Sequence, residues 1–191
     1  MRLSFAIVAV LGIATVAHAA PVTYNIEPDH THPSIETDHF GGLSVWRGIF
    51  KKTSGKVTLD QAAKTGTVSV VIDATSLDMA QDKLNEHVNG PMILDTAKFP
   101  TATYEGTLGG FNNGAPTNVT GKLTLHGVTK PVDLKINSFK CMVNPMSKKE
   151  VCGADASGTF SRADFGVSVG QEMGFKQDVL LRIQVEAVKA D

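Results

Sequence analysis

The run Lys122-Leu123-Thr124-Leu125-His126-Gly127-Val128-Thr129-Lys130-Pro131-Val132-Asp133-Leu134 decides the fold. Apolar and polar residues alternate on both sides of a short polar break. Val119, Gly121, Leu123 and Leu125 share one parity before it; Val132, Leu134 and Ile136 resume the pattern after it. A period of two marks a strand with one buried and one wet face. Gly127 permits the chain to reverse, and Pro131 restricts where the returning strand can begin to pair. The stretch predicts a β-hairpin with His126 at its tip.

The same alternation recurs along the chain. Val22, Tyr24 and Ile26 form a short strand pattern, and Pro28 to Pro33 read as a turn or bulged corner, because two prolines there forbid a regular central strand. Ser34 to Phe40 and Leu43 to Phe50 follow, with Gly41-Gly42 between them, and Gly55 is expected to turn the chain. Val57 and Leu59 alternate, then Val68, Val70 and Ile72. Further strands are expected over 101–108, 118–125, 132–139, 153–160 and 179–188. In the last, Leu181, Ile183, Val185 and Ala187 face one way, and Arg182, Gln184 and Glu186 the other. One helix interrupts this series. Thr75 with Asp78 resembles a capping box, Leu77, Ala80, Leu84 and Val88 share a helical face, and Asn89-Gly90-Pro91 is a stop signal. The reading is all-β and antiparallel, with eight to ten strands and one short helix. A sheet of that size has edges to hide, and closure into a barrel removes them.

Residues 1–19 stand apart. Arg2 supplies a positive start, Leu3 to Val16 are apolar or small apart from Ser4 and Thr15, and Ala17-His18-Ala19 offers small residues where a signal peptidase reads. A signal peptide cut after Ala19 is expected, leaving residues 20–191 as one exported domain. The apolar run is short for the ~20 residues of a retained membrane anchor, and no later stretch is long and apolar enough to span. Without Arg2 the chain carries 17 basic and 19 acidic residues, a net charge of −2. The charges are interspersed, which argues against a nucleic-acid partner. The two cysteines, Cys141 and Cys152, fall in the exported part and are expected to form a structural disulfide. Closing that loop contributes ~3 kcal/mol in the chain-entropy model. Their spacing is not that of a Cys-x-x-Cys redox pair, and no third metal ligand sits nearby in sequence.

Several motifs, taken together, resemble the YceI-like domain: Asp29-His30-Thr31, His39, Gly48-Ile49-Phe50, His87 with Asp95 and Pro100, Leu123 to Val132, and Arg162-Ala163-Asp164-Phe165-Gly166. The segment from Phe139-Lys140-Cys141 to Cys152-Gly153-Ala154-Asp155 resembles a subgroup with a disulfide. The resemblance covers nearly all of residues 20–191. It implies an eight-stranded, lipocalin-like antiparallel barrel, a periplasmic location, an often dimeric state, and an isoprenoid-like lipid held inside. No cofactor is implied. Four positions depart from the family pattern: Ile35 stands for Phe, His32-Pro33 interrupts the first strand, Ile93-Leu94 replaces a Phe-Phe pair, and Asp38 replaces a basic residue.

The residues suggest how such a ligand is held. A barrel lined by aliphatic and aromatic side chains offers desolvation without directionality. Each buried CH₂ is worth ~0.8 kcal/mol, so a chain of about twenty carbons offers ~16 kcal/mol before ordering and association costs. Candidates for the tail lining are Trp46, Phe50, Leu123, Leu125, Phe165, Phe175 and Ile183; the plain alternative is a solid core. His39, His87 and His126 are the head-group candidates, with a metal or a purely structural role as alternatives. His30-x-His32, with Asp29 and Glu36 nearby, is a weak metal pattern. Arg162 and Asp164 read as an ion pair or turn-former. No nucleophile elbow, Walker sequence or His-Glu-x-x-His occurs. A lipid-modifying enzyme using the histidines as acid-base, and a surface-acting stress-related protein with a filled barrel, remain the competing readings.

Overall fold

Strand alternation is realised twelve times in the computed structural model, which describes residues 20–191; the expected signal peptide lies outside these described residues. The strands are β1 (Val22–Ile26), β2 (His32–His39), β3 (Ser44–Phe50), β4 (Thr53–Asp60), β5 (Thr65–Asp73), β6 (Leu77–Asp78), β7 (Thr101–Gly109), β8 (Asn118–Leu125), β9 (Val128–Pro131), β10 (Leu134–Val143), β11 (Glu150–Ser161) and β12 (Asp178–Lys189). The α-helix α1 spans Asp82–Asn89. Eight strands form a ring in the order β1-β4-β5-β7-β8-β10-β11-β12, closed by β12 pairing back onto β1. Every pairing is antiparallel, so the barrel has no free edge to protect.

Closure is uneven along the axis. Ile26 of β1 lies opposite Ala187 near the end of β12, whereas β2 pairs with β12 from Gln184 back to Val179. Between them the chain makes a 3₁₀ turn at Pro28–His30, held by the Glu27 carboxylate, which accepts the N–H groups of Asp29 and His30. One end of the barrel is therefore shut by β1. At the other, β2 continues outward as a β2–β3–β6 flap, and α1 covers part of the gap. Pro33 lies inside β2, opposite Ile183, contrary to the expected break. It is tolerated because β3 begins pairing with β2 only at Ser34, so Pro33 has no second strand to serve.

The hairpin forms with His126 at its tip, but the returning strand starts at Val128 and includes Pro131, ahead of the expected start at Val132. Leu125 pairs with Val128, and His126 and Gly127 both take positive φ, 52° and 75°, the two-residue turn whose twist matches its strands. The returning strand is broken at Val132-Asp133. There Gly121 donates to the Asp133 carboxylate and accepts from the Val132 N–H, before β10 rejoins β8 at Leu134.

Two other expectations are corrected. Gly55 is not a turn: it sits within β4 opposite Val70 at φ 149°, where a Cβ would overlap the β5 backbone, and β3 runs on into β4 in the same direction through Lys51-Lys52. The Thr75–Asp78 capping box does not form. Ala74–Ser76 is a separate 3₁₀ turn capped by Asp73, and Leu77-Asp78 pairs with β3. The Asp78 carboxylate accepts from Ala80 N–H, Asn85 Nδ2 and Lys51 Nζ, and α1 starts later, with Gln81 accepting the Leu84 N–H at 2.6 Å. Burying Leu77 and Met79 against Phe50, Trp46 and Ile35 outweighs continuation of the helical face. The expected stop is observed, with Gly90 as the C-cap.

Cys141 and Cys152 are directly opposed across β10 and β11 and form the disulfide.

Candidate functional site

Inward parity builds a hollow. Val179, Leu181, Ile183, Val185 and Ala187 of β12 all face one elongated cavity of about 440 Å³, a size typical of small-molecule sites. The β12 wall alone covers eight residue steps, ~26 Å at ~3.3 Å each. Tyr24, Leu59, Cys152 and Ala187 line its shut end. At the open end the lining passes into a second apolar cluster of Ile35, Trp46, Phe50, Leu84, Val88, Ile93 and Leu94, supplied by β2, β3, α1 and the loop after it. Ile35 and Ile93-Leu94, where the sequence departs from the aromatic pattern, belong to this end and keep it oily.

Of the residues singled out in the sequence, Trp46, Phe50, Leu123, Leu125, Phe175 and Ile183 line the cavity, and so do His39 and His87. Phe165 and His126 stand outside the lining. Phe165 is 1% exposed and packs edge-to-face on Phe160, ring centroids 5.2 Å apart, so it backs a wall residue. His126 reaches the Phe165 carbonyl through Nδ1 at 3.2 Å and lies 4.6 Å from the Phe99 ring, tying the hairpin tip to two loops.

His39 is held by its ring faces. It stacks on Trp46 at 4.8 Å and meets Phe40 and Phe175 edge-on at 4.6 and 5.4 Å. This aromatic group connects the β2–β3 hairpin tip to the segment before β12. Asp38 fixes the same junction: its carboxylate accepts the N–H groups of Lys176 and Gly41 at 2.9 and 2.8 Å, and these bonds, Lys176 first, hold its pKa below the ordinary range. Around the opening Phe40, Leu43, Val45 and Met173 are exposed.

Arg162 and Asp164 do not pair. Arg162 donates to the carbonyls of Val167 and Val169, and Asp164 is exposed. His30 turns to the Glu27 carboxylate at 2.6 Å and His32 to the Asp29 carbonyl at 3.1 Å, so they address different partners. Glu150, two residues before Cys152, supplies a third potential metal ligand beside the cysteines, contrary to the sequence reading; this is the one group of three found among the described residues, and the disulfide occupies both sulfurs. No helix of the described residues is long and apolar enough to cross a membrane.

Sequence reasoning did not single out Thr53, Tyr104 or Arg162 as lining residues. Thr53 carried a signal in its parity with Val57 and Leu59; nothing local in the sequence pointed the Arg162 side chain at the cavity.

The YceI-like domain model matches residues 24–187. The chain is 31% identical to Protein YceI of Salmonella arizonae, covering 98% of this chain and 96% of that protein. It is 33% identical to a UPF0312 protein of Enterobacter sp. strain 638, over 94% of this chain and 96% of the relative. Two solved structures share the fold. Burkholderia cenocepacia BcnA superposes with a TM-score of 0.64 at 23% identity, covering 82% of this chain and 96% of that one. A polyisoprenoid-binding domain from Saccharophagus degradans gives 0.64 at 15%, covering 88% and 99%.

Proposed function

The chain belongs to the YceI-like family, and from that premise we propose that it is a periplasmic carrier or reservoir for one long-chain, isoprenoid-like amphiphile. The tail lies inward along the barrel, and the polar end stays at the opening beside His39 and His87. The observation that carries this reading is the distribution of chemistry along one cavity: apolar walls run from Tyr24 to Trp46, while Asp38, His39, His87 and Arg162 are grouped at the open end. A tail of low solubility gains by replacing water with such walls, and the walls cannot choose among lipids of like length. Selection therefore belongs to the polar rim. The binding of polyisoprenoid by a fold neighbour supports the ligand class. The leader-like residues 1–19 support export, after which residues 20–191 act as one domain.

Purification without detergent, solvent extraction and mass spectrometry test this. A long-chain isoprenoid-like lipid at about one per chain is expected. Protein that emerges empty and fails to take up geranylgeraniol contradicts the reading. Turnover of the lipid, lost on His39 or His87 substitution while binding persists, favours the enzyme alternative.

A further inference from the structure

The closed ring has one narrow seam. β10 pairs with β8 through Leu134 and Lys135 only, yet it continues beside β11 as far as Val143. Past the seam, residues 139–143 have β11 on one side and no strand on the other. The register fixes which backbone groups are left over. Asn144 donates its N–H to the Lys149 carbonyl at 2.8 Å, which makes these two a hydrogen-bonded pair. In an antiparallel ladder such pairs alternate with pairs that exchange no bond. Met142–Val151 and Lys140–Gly153 are therefore bonded, whereas Val143–Glu150, Cys141–Cys152 and Phe139–Ala154 are not. The N–H and C=O groups of Phe139, Cys141 and Val143 thus point away from β11. None of them meets a second strand or enters a loop bond among the described residues. A row of unused donors and acceptors is a template for an added strand. The Cys141–Cys152 disulfide ties the two strands together in the middle of this edge, so little ordering is left to do on binding.

The side chains along the edge carry an independent signal. Between Asp133 and Glu150 the chain holds Lys135, Lys140, Lys148 and Lys149 and no acidic residue. Lys149 is paired with Asp191, but Lys140 and Lys148 belong to none of the ion pairs among the described residues. Met142, Val143 and Met146 lie exposed beside them. Opposite charges across a strand pair stabilise it and like charges oppose it. The edge therefore complements an acidic strand, and a second copy brings the same lysines against it. An anionic lipid surface would use the charges and the apolar side chains, but it leaves the backbone groups idle.

We propose that the outer edge of β10 receives an extended, acidic segment of a partner protein as an added strand. Its backbone bonds to Phe139, Cys141 and Val143, its carboxylates meet Lys140 and Lys148, and an apolar side chain covers Met142 and Val143. This edge belongs to the shut end, where Cys152 lines the cavity, and stands independently of the carrier reading.

Amide hydrogen exchange, followed by nuclear magnetic resonance on the whole exported protein, tests the edge. In the free protein the Lys140 and Met142 amides are expected to exchange slowly, and those of Phe139, Cys141 and Val143 fast. The probe is a short capped peptide of alternating valine and glutamate, and the control has lysine for glutamate. The glutamate peptide is expected to slow the three fast amides by at least about tenfold and to bind at least about tenfold more tightly than the control. Lys140→Glu weakens its binding by about fivefold and favours the control. Val143→Pro removes an outward N–H without touching the β11 pairing and weakens it by a similar factor. Uniformly slow amides over residues 139–143 in the free protein overturn the assignment, as does equal or absent binding of the two peptides. So does protection that rises with protein concentration alone, the mark of a second copy. Attachment to phosphatidylglycerol vesicles that Val143→Pro leaves intact, with no protection by the peptide, assigns the edge to a lipid surface and overturns it too. If Val143→Pro does not fold, the exchange pattern and Lys140→Glu decide.

Discussion

Tyr104 donates its hydroxyl to the Val132 carbonyl at 2.8 Å from inside the barrel, at the point where β9 breaks from β10. Its ring fills the space that Gly121 leaves open, and a Cβ at Gly121 would also stand 2.9 Å from the Glu105 carbonyl. Tyr104→Phe leaves that buried carbonyl short of a donor and is expected to cost about 1–3 kcal/mol, read as a lower denaturant midpoint at constant slope. Tyr24 offers a second check. Burial, followed by the negative charge of Glu150 and its hydrogen bond, pushes the phenol up to about 12. The folded state therefore keeps this proton where the unfolded chain has lost it. Tyr24 contributes stability that is fully present below pH ~10 and declines as pH rises toward about 12. Alkaline unfolding curves should show that decline, and Tyr24→Phe should flatten it; an unchanged slope in the variant contradicts the assignment. At this scale the sequence was partly legible. Alternation put Leu123 and Ile183 on the inner face, but Phe165 and His126 sit in turns, where no period says which way a side chain points.

Each hairpin was readable as an element because a period of two is set by the strand itself. The start of α1 was not. Thr75, Leu77, Asp78 and Leu84 satisfy a helical template locally, yet Leu77 gains more by pairing β6 with β3 and burying itself beside Phe50. That choice depends on residues about thirty positions upstream in the chain. Asp78 then holds β6, β3 and α1 together. Hydrogen bonds, first that from the Ala80 N–H and then those from Lys51 and Asn85, lower its pKa from 3.8 to about 2. The folded state prefers the carboxylate, so this support is present above pH ~4 and is lost as pH falls toward about 2. Trp46, the chain's only tryptophan, packs in the cluster that α1 covers. Its emission should change over that acid range in the wild type, and Asp78→Asn should abolish the acid step. A step of equal size in the variant would show that another group opens the flap. The β10–β11 disulfide is the other element-scale support. Replacing Cys141 and Cys152 with Ser should lower stability by about 2–4 kcal/mol in chemical denaturation while the barrel's circular dichroism persists.

For the whole molecule, closure and hollowness are separate properties. Closure follows from strand count and alternation, and it was legible. Whether eight strands enclose a void depends on side-chain volumes summed over all of them, which no single stretch reveals; only resemblance to the family pointed to it. The void accounts for the function only if a tail enters it and reaches the shut end. A prenyl alcohol carrying a photoreactive diazirine at the tail terminus, irradiated in the complex and mapped by peptide mass spectrometry, measures this directly. The account predicts adducts on the shut-end residues Tyr24, Leu59 and Ala187. Adducts confined to the exposed rim at Phe40, Leu43 and Met173, or none on the protein, would contradict it.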